Sequence, residues 1–330
     1  MSVLFILFLF KTFWLVGGQE TTVYIGPAVN GSIDNGNNDV VVLGGLFSVH
    51  NGEENGCGKI FDLDMPLLEG MVLAIQKINK NSSILPGVTL AFEIRDTCTQ
   101  TNIALGESLK FVSGRRLKPS GAANGTVLGI SGVVGTAFSR TSISVARLLR
   151  LFQVPQISYA ATANILSDKT IFDYFFRTLP PDSLQARAMA DIIEHFNWTY
   201  VIAMHTGDVY GREGIEALID ELKKRNSTRR CTAMSSIEIP EVAVMDDFDR
   251  AIKTMDQEWV SNATVVVLFG QENTAIGLFE AVRRKQESDP EFASKKFTWV
   301  GSDGWGDRVP ENLREIAHGL LSVFPRFLMI

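Results

Sequence analysis

From about Val40 onward, short apolar runs alternate with one-sided helical stripes, and this rhythm constrains the fold more than any other feature. Val40–Leu46 reads as a buried strand, and Met71, Ala74, Ile75 and Ile78 follow at i, i+3, i+4 and i+7 of one helix face. Thr89–Ile94 predicts the next strand and Asn102–Val112 the next helix. Val127–Val134 is then a strand, Ser139–Gln153 a helix with Val145, Leu148, Leu149 and Phe152 on one face, and Gln156–Tyr159 a short strand. The second half repeats the pattern. Helical stripes are predicted at Met189, Ile192, Ile193 and Phe196 within Leu184–Phe196, and at Ile215, Leu218, Ile219 and Leu222 within Gly211–Arg225. Two more run through Met245, Phe248, Ile252 and Met255, and through Ala275, Leu278, Phe279 and Val282. The strands between them are Tyr200–Met204, Cys231–Ile239, Ala263–Phe269 and Phe297–Gly301.

Strands alternating with one-sided helices predict an α/β class in which parallel sheets are covered on both faces. Two such runs meet near Arg177–Pro181, which predicts two lobes, and Pro180-Pro181 suits an extended crossover between them. The 330 residues are enough for two ordinary domains, and 45% hydrophobic residues supply their cores. A net charge of −6 argues against a nucleic-acid partner. Of the basic clusters, Lys223-Lys224-Arg225 and Arg283-Arg284-Lys285 close amphipathic helices, where cations complement the helix dipole. Ser113–Thr126, with Arg115-Arg116, reads as a surface loop.

Residues 1–18 have the apolar run and small terminal residues of a signal peptide cut before Gln19, although the n-region lacks Lys and Arg; an uncleaved anchor is the alternative. Residues 19–38, rich in Gly, Asn and Asp, read as a flexible leader. No later stretch is long and apolar enough to span a bilayer. Sequons at Asn30, Asn81, Asn124, Asn197, Asn226 and Asn262 fit a secreted or extracellular location, with Asn197 expected to be the less accessible because it leads into a strand. Cys57, Cys98 and Cys231 make an odd count, so one pair can form and one thiol is left over or has a partner elsewhere. With no Cys-x-x-Cys and four scattered histidines, neither a metal site nor a cofactor is expected.

Ligands of open α/β sheets bind beyond the carboxyl ends of the strands. There, Ser139 is placed to cap a helix whose free N–H groups attract a carboxylate, with a plain N-cap as the alternative reading. Ala160-Ala161-Thr162 brings a second hydroxyl to the same sheet edge. In the second half Asp182, Tyr210 and Asp303 occupy equivalent positions. Hydroxyls on one side and carboxylates with a tyrosine on the other suit the carboxylate and ammonium of an α-amino acid. The dinucleotide and phosphate-loop glycine motifs and the G-x-S-x-G elbow are all missing, so an enzyme is not expected.

At Leu148–Tyr159, Leu166–Lys169, Pro181–Met189, Phe196–Val201, Tyr210-Gly211 and Gly301–Trp305 the chain resembles the ligand-binding "Venus flytrap" domain of metabotropic glutamate receptors, which are class C G-protein-coupled receptors. The similarity runs from about Leu43 to Arg308. The resemblance implies a bilobed, periplasmic-binding-protein-like fold that is truncated: lobe one over 39–178, lobe two over 179–320 and the start of a return crossover over 321–330. It implies an L-α-amino acid held between the lobes. Ser139, the main chain at Ala160, and Thr162 are the carboxylate contacts it carries over; Asp182, Tyr210 and Asp303 surround the amino nitrogen; Arg308 helps with a distal carboxylate.

Two departures put glutamate selectivity in doubt. The family's main arginine for the side-chain carboxylate falls at Leu67 or Leu68 here, and no basic residue lies between Lys59 and Lys77. The family's distal lysine lies beyond residue 330. The resemblance also pairs Cys57 with Cys98, and matches Cys231 to a cysteine that bonds a following cysteine-rich domain. It places a homodimer face at Leu105, Leu109, Leu148, Leu151 and Phe152, some of which could equally be core. G-protein signalling is implied only for a longer form with a membrane domain. The competing reading is a non-binding dimerisation or decoy module.

Overall fold

A computed structural model describes residues 23–26, 39–53, 56–61, 64–113, 129–226, 233–259, 263–306 and 308–325. The chain divides into two compact units, the first comprising residues 1–161 and 168–179 and the second 162–167 and 180–330. The expected signal peptide, Cys231 and the sequons at Asn30, Asn124 and Asn262 lie outside the described residues, as do the Asn226 side chain and nearly all of the Ser113–Thr126 loop.

The first unit is built on a six-stranded sheet in the order β1-β5-β2-β6-β7-β8. Its strands are β1 (Val23–Gly26), β2 (Asp39–Phe47), β5 (Val88–Asp96), β6 (Ile130–Val134), β7 (Gln156–Ser158) and β8 (Phe175–Arg177). β1 pairs antiparallel with β5, and the other pairings are parallel. β1 falls within the stretch read as a flexible leader: its Val23, Tyr24 and Ile25 are strand formers that find an edge at β5. A polar hairpin, β3 (His50–Glu53) with β4 (Gly56–Ile60), stands apart from this sheet.

Among the described residues, the helices α1 (Met65–Lys80), α2 (Thr101–Val112) and α3 (Ser139–Arg150) cover the first sheet. Alternation along β2 sends Phe47 into a cluster with Leu68, Met71 and Ile75 of α1, and Leu46 into another with Ala104, Phe111, Val145 and Leu149 of α2 and α3. The sheet is therefore covered on both faces. Ala74 is exposed, so the buried stripe of α1 starts one turn earlier, at Leu68. Phe152 lies beyond the end of α3 and is exposed, which corrects its placement on the helix's core face.

The second unit carries a five-stranded, all-parallel sheet in the order β10-β9-β11-β12-β13. Its strands are β9 (Tyr200–Thr206), β10 (Ala233–Ile239), β11 (Val265–Phe269), β12 (Thr298–Gly301) and β13 (Leu321–Ser322). α4 (Asp182–His195) and α5 (Val209–Asn226) pack on Val201, Ala203, Val265, Val267 and Phe269; α6 (Met245–Trp259) and α7 (Glu272–Ser288) pack on Ile202, Met204, Val266 and Leu268. Central β11 is buried throughout, the mark of a parallel strand covered on both sides. A short helix, α8 (Pro290–Ala293), is capped by Asp289, which accepts from the N–H groups of Glu291 and Phe292. Phe196 and Met245, expected in helical stripes, are exposed at the ends of α4 and α6.

The doubly wound α/β class is thus present in both units. Hydrogen bonds tie Thr162–Ser167 to the second unit. The Asp182 N–H donates to the Thr162 carbonyl at 2.9 Å, the Ser183 N–H to Asn164 Oδ1 at 2.9 Å and the Ile165 N–H to Glu213 Oε2 at 3.0 Å.

Candidate functional site

In the second unit the carboxyl ends of β9, β11 and β12 come together at one sheet edge. β9 ends at Thr206, and Tyr210 follows on the first turn of α5. Gly211 sits against this end so closely that a Cβ would lie 2.3 Å from the Thr206 carbonyl oxygen. Tyr210 is buried, edge-on to Phe269 of β11 with ring centroids 6.0 Å apart.

β12 ends at Gly301, and its loop is fixed by the Ser302 N–H to the Leu268 carbonyl (3.1 Å) and by Trp305 Nε1 to that same carbonyl (3.0 Å). Asp303 is thereby held half-buried, and its Oδ1 accepts the Tyr210 hydroxyl at 2.7 Å. The Tyr210 oxygen in turn accepts the Gly304 N–H at 3.3 Å. A Cβ on Gly304 would meet the Gly270 carbonyl at 2.4 Å, so only glycine lets the two loops approach.

Burial pushes the Tyr210 phenol well above its usual range, and the carboxylates of Asp303 and Asp182 push it further. Tyr210 therefore stays a neutral donor at physiological pH. Asp182 opens α4, is 1% exposed, and has both carboxylate oxygens closed off from solvent. Among the described residues Asp303 makes no salt bridge.

Beside this pair lies a cavity of about 150 Å³. Thr162, Asp182, Gln185 and Asp303 are its polar lining; Leu184, Ala188, Val323, Phe324 and prolines form the walls. Gln185 Nε2 donates to the Val323 carbonyl at 2.9 Å and ties the chain after β13 to α4. Gln185 was missed by sequence reasoning, although its i+3 spacing from Asp182 puts it on the same helical face. Val323–Pro325 carry no local signal and arrive only through the pairing of β13 with β12. Arg308 does not line the cavity; it is exposed, with Nη1 3.7 Å from Glu272 Oε2.

In the first unit Ser139 is buried at the first position of α3. It is not the N-cap: Phe138 occupies that position and no side-chain cap bond forms, because the chain enters the helix one residue earlier than the serine spacing predicts. The Ala160 N–H points to Ser158 Oγ at 3.3 Å. Asp64, the N-cap of α1, is buried and accepts the Ser48 N–H (2.8 Å) and the Tyr159 hydroxyl (2.9 Å). Burial raises its carboxyl above the usual range. Leu67 is 43% exposed, whereas Leu68 is 7% exposed and part of the core.

The Cys57–Cys98 disulfide is formed, with Cα atoms 5.1 Å apart. These two cysteines and Asp96 form, among the described residues, a grouping with metal-ligand spacing, but both sulfurs are engaged in the disulfide.

Residues 67–324 match the family model for the receptor family ligand binding region. The chain belongs to that family. This receptor ligand-binding region is 40% identical over 303 residues to the metabotropic glutamate receptor of Drosophila melanogaster, covering 86% of this chain and 30% of that protein. It is 37% identical over 300 residues to human metabotropic glutamate receptor 8, covering 87% of this chain and 32% of that protein. It is 35% identical over 304 residues to metabotropic glutamate receptor 4 of Macaca fascicularis, covering 88% of this chain and 32% of that protein. It is thus homologous to the ligand-binding region of metabotropic glutamate receptors and spans about a third of their length. Its homologues are receptors, not enzymes. Among the described residues no helix is long and apolar enough to cross a membrane.

Proposed function

We propose that this receptor region senses an L-α-amino acid. The observation that carries the reading is the Tyr210–Asp303 pair beside a cavity lined by carboxylates and apolar walls but by neither Lys nor Arg. Asp303 is the counter-charge for the ligand's ammonium, Thr162 and Tyr210 flank it, and Asp182 contributes negative potential from its buried position. The α-carboxylate is assigned to Ser139, Thr162 and the main chain at Ala160. Arg308 keeps a secondary role toward a distal group. Leu67 and Leu68 stand where an arginine would be needed, so the preferred side chain is neutral or apolar rather than that of glutamate.

The region works outside the cell, behind a signal peptide at 1–18, and its sequons carry glycans. Asn81 and Asn197 are both exposed; Asn197 sits at the left-handed end of α4, at φ 54°, ahead of β9 rather than inside it. G-protein coupling belongs to a longer form with a membrane domain.

A thermal-shift screen of the twenty amino acids tests the reading, because a ligand that binds only the native state raises the melting point. A screen with no shift at ligand concentrations of about 100 times a millimolar Kd, where roughly 2.7 kcal/mol is expected, removes it. The second reading, a non-binding dimerisation or decoy module, is favoured by the exposed apolar side chains Leu109, Leu151 and Phe152.

A further inference from the structure

We propose that the cavity beside Asp303 is an amine site in its own right, taking a primary ammonium on a short apolar body with no need for an α-carboxylate. The inference rests on reading Asp303 as the ammonium contact and extends it to a different ligand class, small aliphatic amines.

The lining carries the argument. Asp303 is half-buried, and its described partner is a neutral hydroxyl, not a cation. Tyr210 spends its one proton on Asp303 Oδ1, and among the described residues Oδ2 accepts no hydrogen bond, which leaves it to a ligand. Thr162 brings a hydroxyl-bearing side chain to the same lining, one that can accept as well as donate. Neither Lys nor Arg lines the cavity, and Arg308 is turned to Glu272, so no cationic side chain here would pair with an anion. Leu184, Ala188, Val323 and Phe324 offer only apolar surface to the rest of the ligand.

The return segment is held in place by Gln185, whose amide N–H anchors Val323. A cavity of about 150 Å³ holds roughly five water-sized groups at about 30 Å³ each. That matches the five non-hydrogen atoms of n-butylammonium. All of these groups belong to the second unit, whereas Ser139 and Ala160, the other residues assigned to a carboxylate, belong to the first.

Calorimetric titration of the whole chain tests this with n-butylammonium, butyrate, tetramethylammonium and the amino-acid panel. n-Butylammonium binds; butyrate, with the wrong charge, and tetramethylammonium, with no N–H donor, do not. Asp303→Asn weakens n-butylammonium by at least about tenfold, about 1.4 kcal/mol. Ala188→Phe, which fills the cavity and leaves Asp303 intact, does the same. Melting curves of both variants establish that they are folded.

If amino acids bind and n-butylammonium does not, the inference falls while the proposed function stands. If n-butylammonium binds through Asp303 and no amino acid binds, the inference stands and the proposed function falls. n-Butylammonium binding that is indifferent to both substitutions, or absence of binding by either class, overturns it.

Discussion

The Tyr210 hydroxyl donates to Asp303 Oδ1 at 2.7 Å across 93 residues of sequence, joining the first turn of α5 to the loop after β12. The buried phenol holds its proton well above the usual range, first through burial and then through Asp303 and Asp182. With the folded-state value above the unfolded one near 10, the native state binds the proton more tightly. The resulting stabilisation is complete below about pH 10 and is lost as pH rises through the folded value. Tyr159, raised by burial and by Asp64, acts in the same direction. Tyr210→Phe should therefore flatten, without abolishing, the alkaline fall in urea-melt stability, and should cost about 1 kcal/mol at neutral pH. An alkaline slope identical to that of the unaltered protein would contradict this account of Tyr210.

The Cys57–Cys98 bond spans 41 positions and pins the β3–β4 hairpin to the turn after β5. Asp96 reinforces the same junction, accepting the N–H groups of Val49 (3.0 Å) and Cys98 (2.8 Å). In the chain-entropy view a loop of this size contributes about 4 kcal/mol. The double variant Cys57→Ser/Cys98→Ser should lose roughly that much in urea unfolding, with the first unit affected before the second. Peptide mapping without reductant should recover the Cys57–Cys98 pair and leave Cys231 unlinked to either; a Cys231 cross-link to one of them would refute the pairing in solution.

Much of the scaffold was legible because it rests on local periodicity. The helix stripes at Met189 and Ile193, at Ile215 and Leu218, and at Ala275 through Val282 are buried as their spacing predicts. What escaped is non-local. Val23–Gly26, Phe175–Arg177 and Leu321–Ser322 are strands of four, three and two residues, defined by their partners rather than by pattern. At the candidate site, Tyr210 and Asp303 were legible as polar residues just past strand ends, whereas the wall at Val323–Pro325 depends on a pairing that local sequence does not announce. Ser139 shows a spacing signal that misleads by one residue, since the helix is entered through Phe138.

An apolar face on the first unit predicts self-association. Leu109 on α2, with Leu151 and Phe152 just beyond α3, are 44%, 77% and 47% exposed, while Leu105 and Leu148 are half-buried beside them. We expect light scattering after size exclusion to show a dimer, and Leu151→Asp with Phe152→Asp to shift it to monomer. Both positions are exposed, so melting should move by no more than about 0.5 kcal/mol equivalent. A unaltered chain that is monomeric at all concentrations tested would remove this face from the list of interfaces.

The absence of a cation on the first turns of α1 leads to the last prediction, about ligand choice. A distal carboxylate that loses its water needs a paired cation, or desolvation costs more than binding returns. Leu67 and Leu68 occupy the region where that cation is expected, and the two are not equivalent. Leu68 packs with Met71 and Ile75, so Leu68→Arg should bury an unpaired charge and destabilise the first unit by about 3 kcal/mol or more. Leu67 is 43% exposed, on the neighbouring face, so Leu67→Arg should fold with a change of no more than about 0.5 kcal/mol. Titration of the unaltered chain should give no tenfold preference for glutamate over glutamine, a difference of about 1.4 kcal/mol. Leu67→Arg should shift the ratio toward glutamate by about fivefold or more, close to 1 kcal/mol, with leucine binding little changed. Tight, glutamate-selective binding by the unaltered chain would mean that another cation serves the distal carboxylate, and Arg308→Ala, freeing Glu272, would then be the variant to abolish it.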